Sequence, residues 1–346
     1  MSDKIIEWTK LGSSGLKVSK VIIGFMSYGK KSWAEWVEDD EDKIFEILKR
    51  AYDLGLRTYD TADTYSNGYS EVLLGKFLNK YKIQRDKVVI MTKVFFPTNE
   101  TLDLKHGAKG PSVNDVDLHN LQGLSRKHII AAAENSVNRL GTYIDIYQIH
   151  RYDHSTPPEE TMKALNYVIE KGLTRYIGAS SMRATEFAEL QFIAEKNGWH
   201  KFVSMQDYYN LLYREEEREM HHFCDKTGVG VIPWSPNARG LLTRPVDQTS
   251  ERHLSDPTFK LLGLDVLSTA DKEIINRVGK VAKDKGISMA STATAWILSK
   301  GRIPIVGLNS VPRLEEALLS TTVSITDEEI AFLEEPYKAK NVVGFV

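Results

Sequence analysis

The feature that most restricts what this chain can fold into is an alternation. Short runs rich in β-branched residues are followed, repeatedly, by longer runs with helical periodicity. Strands are expected at Lys20–Gly24, Gly55–Thr61, Lys87–Val94, Tyr143–His150, Thr174–Ser180, Phe202–Gln206, Gly228–Trp234 and Ile303–Gly307. Several are almost continuously apolar, such as Val88-Val89-Ile90-Met91 and Ile303-Pro304-Ile305-Val306. A strand apolar on both sides must be covered on both sides, the condition inside a parallel sheet wrapped by helices.

The intervening helices have readable ends. In Arg126–Leu140, residues Ile129, Ile130, Ala133, Val137 and Leu140 share one face; Ser125 stands at the N-cap and Gly141 follows the end. Similar patterns cover Asp42–Leu54, Glu159–Lys171 (with Pro158 at its start) and Thr185–Lys196. Eight strand–helix units without a Pro- or Ser-rich linker predict one (β/α)8 TIM barrel domain spanning residues 1–346. The alternative is an open doubly wound sheet. That fold calls for a glycine-rich phosphate turn after the first strand, and Phe25-Met26-Ser27-Tyr28-Gly29-Lys30 is not one.

Two kinds of segment fall outside the repeat. Ile5–Val18 reads as a β-hairpin turning at Gly12-Ser13-Ser14-Gly15, suited to plug the bottom of a barrel. Phe95–Leu124 and Asn237–Thr269 are long loops leaving strand C-terminal ends, where barrel active sites lie.

Charge and cysteine content exclude several functions. Lys plus Arg number 45 against 47 Asp plus Glu, so the surplus of cations that a nucleic-acid partner demands is missing. A lone cysteine, Cys224, permits no internal disulfide and no multi-cysteine zinc site. Met1-Ser2-Asp3-Lys4 does not read as a secretory signal, and no apolar run is long enough for a bilayer. A soluble cytoplasmic protein without a membrane partner is expected. A monomer is compatible with the sequence, which leaves the oligomeric state open.

If the barrel is right, reactive groups belong at strand C-terminal ends. The second strand ends in Asp60 and runs on through Asp63 to Tyr65; the third ends in Lys93 and the fourth in His150. An acid, a phenol, an amine and an imidazole thus come from three adjacent strands. Proton transfer to a carbonyl oxygen uses this set. A phenol is a weak acid near neutrality, and a nearby ammonium group stabilises its phenolate and lowers its pKa. Lys93 supplies that charge, Asp60 holds Lys93, and His150 orients the substrate oxygen. No metal site is expected.

Asp60-Thr61-Ala62-Asp63-Thr64-Tyr65, Lys93 and His150 together resemble the catalytic tetrad of the aldo-keto reductases. The resemblance runs from Lys10-Leu11-Gly12 to Arg313-Leu314-Glu315-Glu316, and Tyr208-Tyr209-Asn210-Leu211-Leu212-Tyr213-Arg214-Glu215 is similar to the fungal and microbial aryl-alcohol-dehydrogenase-like branch. It implies a (β/α)8 barrel that reduces aldehydes and ketones with NADPH (NADP+ in reverse), with Tyr65 as general acid. It also implies a cofactor site. Ser180, Ser181 and Gln206, with Asp60 beside them, stand where the family holds the carboxamide; Ser181 replaces the usual Asn. Trp234 stands where a ring stacks on the nicotinamide. Ser235, Gly240, Leu241 and Leu242 match the pyrophosphate strap, with Arg239 or Arg244 adding charge. Gly307, Asn309, Arg313 and Glu316 match the adenosine end, Arg313 meeting the 2′-phosphate. A common family cation is replaced by Gly307, which implies a weaker preference for NADPH. Relatives acting as potassium-channel β-subunits keep the tetrad, so a cofactor-binding sensor or interaction subunit is the alternative function.

Other residues receive plainer readings. Asp63 is taken to cap the turn before Tyr65. Met220, Phe223 and Cys224 fit one buried helix face, with His221-His222 no metal pair, and Glu215-Glu216-Glu217 suit a helix N-terminus. Tyr28 and Phe95, with His150, are the expected substrate contacts. With Phe25, Trp33 and Phe96 they suggest an apolar wall for aromatic or medium aliphatic aldehydes.

Overall fold

The structure, a computed structural model, describes residues 6–102, 104–107, 116–248 and 255–345. Among them a parallel sheet is built from β3 (Ile22–Gly24), β4 (Thr58–Asp60), β5 (Val89–Val94), β6 (Ile144–Ile149), β7 (Thr174–Ser180), β8 (Phe202–Gln206), β9 (Gly230–Val231) and β10 (Ile305–Gly307). Each strand pairs with the next, and β10 pairs with β3. The ring closes between the last two: Trp234 bridges Ile305 in parallel, and the Ile303 and Ile305 amides donate to the Val231 and Pro233 carbonyls. This is the (β/α)8 barrel.

Strand identity and order follow the sequence reading, but several strands are shorter than expected. The second begins at Thr58 rather than Gly55, because Gly55 takes a left-handed φ of 87° and closes the preceding helix instead. The seventh keeps regular pairing only at Gly230–Val231 and regains isolated bridges at Trp234, to Tyr208 and to Ile305. Helix Arg126–Leu140 lies where its pattern puts it, with the Ser125 hydroxyl accepting from the His128 amide.

The barrel interior is layered. On β5 the inward face reads Val89, Met91, Lys93; on β6 it reads Ile146 and Gln148, continued by His150 just past the strand's end. The lower positions pack with Ile22, Ile232, Ile303 and Ile305 into an apolar plug. The hairpin of β1 (Trp8–Lys10) and β2 (Lys17–Ser19) caps it from below, with Leu11 fully buried in the same cluster. Gly12 makes this approach possible. Its φ is +56°, and a Cβ there would come within 2.3 Å of the Gly228 carbonyl oxygen. The outward residues, including Ile90, Tyr147 and Ile177, pack under the helices in the main core. Period-two alternation therefore reserves the upper inward positions for polar groups.

Candidate active site

The inward polar layer converges on one carboxylate. Lys93 Nζ donates to Asp60 Oδ2 at 2.6 Å, to the Thr61 carbonyl at 2.8 Å and to Tyr65 Oη at 3.3 Å. On the other side of Asp60, Gln148 and Gln206 donate to Oδ1 at 3.0 and 2.8 Å. All of these groups are buried. Three of the four predicted residues thus form one hydrogen-bonded chain. The fourth, His150, places its ring 5.9 Å from that of Tyr65, edge to face, and its buried Nδ1 has no partner.

The electrostatics differ from the simple expectation. Burial lifts the Tyr65 phenol above its ordinary value; Lys93 pulls it down but does not outweigh burial and Asp60. The cation therefore offsets the desolvation of a phenolate and does not acidify the phenol outright. Burial also works against the Lys93 ammonium, yet Asp60 and Tyr65 raise its pKa on balance, so it remains charged. Burial, Lys93 and Arg151 hold His150 well below the usual imidazole range, leaving it neutral at physiological pH.

Behind the tyrosine, Asp63 does not cap the turn. It is buried without a well-formed hydrogen bond to either carboxylate oxygen. Burial and the Glu71 charge raise its pKa well above the carboxylate range; Glu71 itself is gripped by Arg139 at 2.6 Å. Below the unfolded carboxylate pKa of about 4, Asp63 is protonated in both states and costs nothing. As pH rises from there toward the folded value, the unfolded chain releases the proton first and stability falls. Asp63→Asn is expected to raise the melting temperature at pH 8 and leave it nearly unchanged at pH 4, read by thermal denaturation. Equal shifts at both pH values would refute this assignment of charge.

The expected substrate contacts need correction. Tyr28 is fully buried, its hydroxyl donating to the Leu308 carbonyl, so it braces the wall from behind. Phe95 packs against the main core, and it is Phe96 that meets His150, with ring centres 5.0 Å apart. Trp33 stands 6.2 Å from Tyr65 and packs on Trp36 and His106. Among residues given no role by the sequence, Gln148 lies on the inward face of β6, two residues before His150, a signal present in the strand's alternation. Arg151 and His106 carried no such signal.

The cofactor-site expectations fare unevenly. The Ser180 hydroxyl donates to the Gln206 carbonyl at 2.6 Å, and Ser181 Oγ accepts from Trp234 Nε1 at 3.0 Å. One face of Trp234 is covered by Tyr208, stacked at 4.6 Å. Ser235, Ala238, Arg239 and Gly240 all have positive φ, which folds the strap into a tight turn. Leu242 is buried in the core, so only its backbone is available to a bound group. Arg239 turns away from the strap: it is buried in an ion pair with Asp256. Arg244 is half-buried within electrostatic range of Arg313. Burial and then Arg313 lower its pKa, marking two guanidinium groups held near each other. Arg313 is exposed in the first turn of helix Val311–Ser320. Asn309 and Gly307 are exposed beside it, and Glu316 is half-buried with its carbonyl accepting from Ser291. Nearby, Asn237 Oδ1 is buried without a partner. Arg313 at a helix start, with the like charge of Arg244 within electrostatic range, fits an anionic group such as the phosphates of a dinucleotide.

Residues 20–338 match the Aldo/keto reductase family. The chain belongs to that family. It is 60% identical to “Putative aryl-alcohol dehydrogenase AAD16” of Saccharomyces cerevisiae over 334 residues, covering 96% of this chain and 98% of that protein. It is 54% identical to “Putative aryl-alcohol dehydrogenase C977.14c” of Schizosaccharomyces pombe, covering 94% of each. Identity to versiconal hemiacetal acetate reductase of Aspergillus parasiticus is 51%, covering 97% of this chain and 98% of that one. Membership makes this aldo/keto reductase an oxidoreductase acting on small carbonyl compounds. No helix among the described residues is long and apolar enough to cross a membrane.

Cys224, Met220 and also His221 are buried, but His221 bonds Asp207 at 2.8 Å, so that face carries a polar pair. Glu215 and Glu217 serve as ion-pair partners: Glu217 takes Arg214, while Glu215 takes Arg218 and accepts from Tyr337 and the Lys340 amide, tying down the C-terminal tail.

Proposed function

We propose that this protein reduces aldehydes and ketones with NADPH, aryl aldehydes foremost, using Tyr65 as the general acid. The observation that carries the reading is the Lys93 ammonium bonded at once to Asp60 and to the Tyr65 hydroxyl. Two relatives named for aryl alcohols and the aromatic rings of Trp33 and Phe96 near the tetrad support the substrate class.

When bound, the reduced nicotinamide supplies the hydride. Ser180, Ser181, Gln206 and Trp234 would hold the nicotinamide end, the backbone of Ser235–Leu242 and Arg244 the pyrophosphate, and Asn309, Arg313 and Glu316 the adenosine end. Neutral His150 donates one N–H to the substrate carbonyl oxygen and fixes its direction. Tyr65 passes its hydroxyl proton to that oxygen as negative charge develops there. Lys93 stabilises the phenolate left behind, and Asp60 with its two glutamine donors holds Lys93 in place.

Arg313→Ala tests the cofactor half of the reading. Losing a charge-assisted contact to the 2′-phosphate is expected to raise KM for NADPH by about 10–100-fold. KM for NADH should change by less than about twofold, since NADH has no such phosphate. Steady-state cofactor oxidation with a benzaldehyde substrate reads both values, and equal changes for the two cofactors would remove Arg313 from this role.

A further inference from the structure

Arg151 follows directly on His150 at the mouth of the barrel and is largely buried, yet no carboxylate among the described residues pairs with it. Its Nη1 donates to the His150 carbonyl at 2.5 Å. Its Nε is buried without an acceptor, and no hydrogen bond from Nη2 to a described residue accompanies these. The guanidinium lies over the Phe96 ring at 5.7 Å, and Phe96 in turn meets His150. Burial lowers its pKa to about 10, and the charge opposing that effect is Tyr65, the proton donor itself.

A buried guanidinium without a counter-charge is costly unless something else satisfies it. The edge left open is chemically specific. Nε and Nη2 lie side by side in one plane and present two parallel N–H groups, matching the two oxygens of a carboxylate. Elsewhere in this chain Arg214 uses that edge on Glu217, Nε to Oε1 at 3.0 Å and Nη2 to Oε2 at 2.8 Å. Arg85 turns the same edge on the Tyr143 carbonyl. At Arg151 it is unfilled, beside the two residues that handle the substrate carbonyl and against an aromatic ring.

We propose that the Nε–Nη2 edge of Arg151 is a substrate subsite for a carboxylate, so that carboxylate-bearing aryl aldehydes are preferred over their neutral counterparts. The proposal rests on the reductase reading above and narrows its substrate class. The aryl group lies against Phe96, the aldehyde oxygen meets His150 and Tyr65, and the carboxylate takes both N–H groups. Reduction of the aldehyde to the alcohol is unchanged in its balance of hydride and proton; the carboxylate does not react.

The test compares 3- and 4-carboxybenzaldehyde with their methyl esters, which have nearly the same shape but no charge, using NADPH and the full-length protein. The wild type is expected to favour one or both acids over the ester in kcat/KM by about 30-fold, the scale of losing one partner of a buried charge pair. In Arg151→Met that ratio should collapse to about 1, and Arg151→Lys should restore part of it. The ratio is unaffected by any general loss of rate in the variants. A wild type without preference, or a Met variant that keeps it, would overturn the proposal; a loss shared equally by acid and ester would assign Arg151 to the electrostatics of Tyr65 instead. Binding of benzoate, followed by tryptophan fluorescence, separates failure of the subsite from failure of the reductase reading. If no aldehyde is turned over but benzoate binds the wild type and not Arg151→Met, the subsite stands and the reaction is wrong. If benzoate binds both alike, the subsite is wrong.

Discussion

Replacing Tyr65 with phenylalanine is expected to lower kcat for aldehyde reduction by about 10²–10⁴-fold, the contribution of a positioned general acid. The dissociation constant for NADPH should stay within about twofold. The ring still fills its place beside Trp33 and His150; only the hydroxyl that meets Lys93 at 3.3 Å is removed. Single-turnover reduction and cofactor fluorescence titration read the two quantities separately. A variant that turns over at the wild-type rate would remove Tyr65 from the reaction, and one that loses cofactor binding would make it a structural residue. The wild-type pH profile carries the same information. Because Tyr65 is raised and His150 lowered, both groups are neutral across physiological pH. The profile of kcat/KM for reduction should therefore show no acid limb near the ordinary histidine pKa of about 6.5. It should fall only on the alkaline side, as the phenol begins to ionise.

The second large effect is expected at Lys93. Its ammonium and the Asp60 carboxylate meet at 2.6 Å with side chains 0% and 3% exposed. Lys93→Met leaves Asp60 buried with two amide donors but no opposite charge, which costs about 3–5 kcal/mol of folding stability. The same change strips the phenolate of its stabilising cation, so turnover should fall at least as far as in Tyr65→Phe. Adding Asp60→Asn removes the stranded charge. The double variant should recover much of the lost stability in urea denaturation while staying inactive. Recovery of activity with stability would show that Lys93 acts through folding alone; failure to recover stability would show that its aliphatic packing matters more than its charge.

Much of this was legible without coordinates. Alternation of apolar strands and amphipathic helices is a local property, repeated often enough that barrel closure was the economical solution. Once strand ends are known, Asp60, Lys93 and His150 fall at the mouth by counting, and Tyr65 follows within one turn. The errors were also orderly. The strands begin later than the apolar pattern suggests at Gly55 and Gly228, where glycines end helices in the left-handed region. Phe95 and Phe96 are adjacent aromatics just past Val94, where β5 ends, so only the fold decides which of the two meets His150.

What the sequence by itself determined was the barrel and which polar residues stand at its strand ends, because periodicity and spacing are written along the chain. What only the tertiary structure decided was the charge state and the availability of each group. Asp60 owes its donors to residues 88 and 146 positions away, and Arg239 is silenced by a carboxylate 17 positions on. Among the described residues no chain segment brings Arg151 an acid. Desolvation and Coulomb energy are sums over neighbours in space, and those neighbours are fixed only when the strands close into a ring.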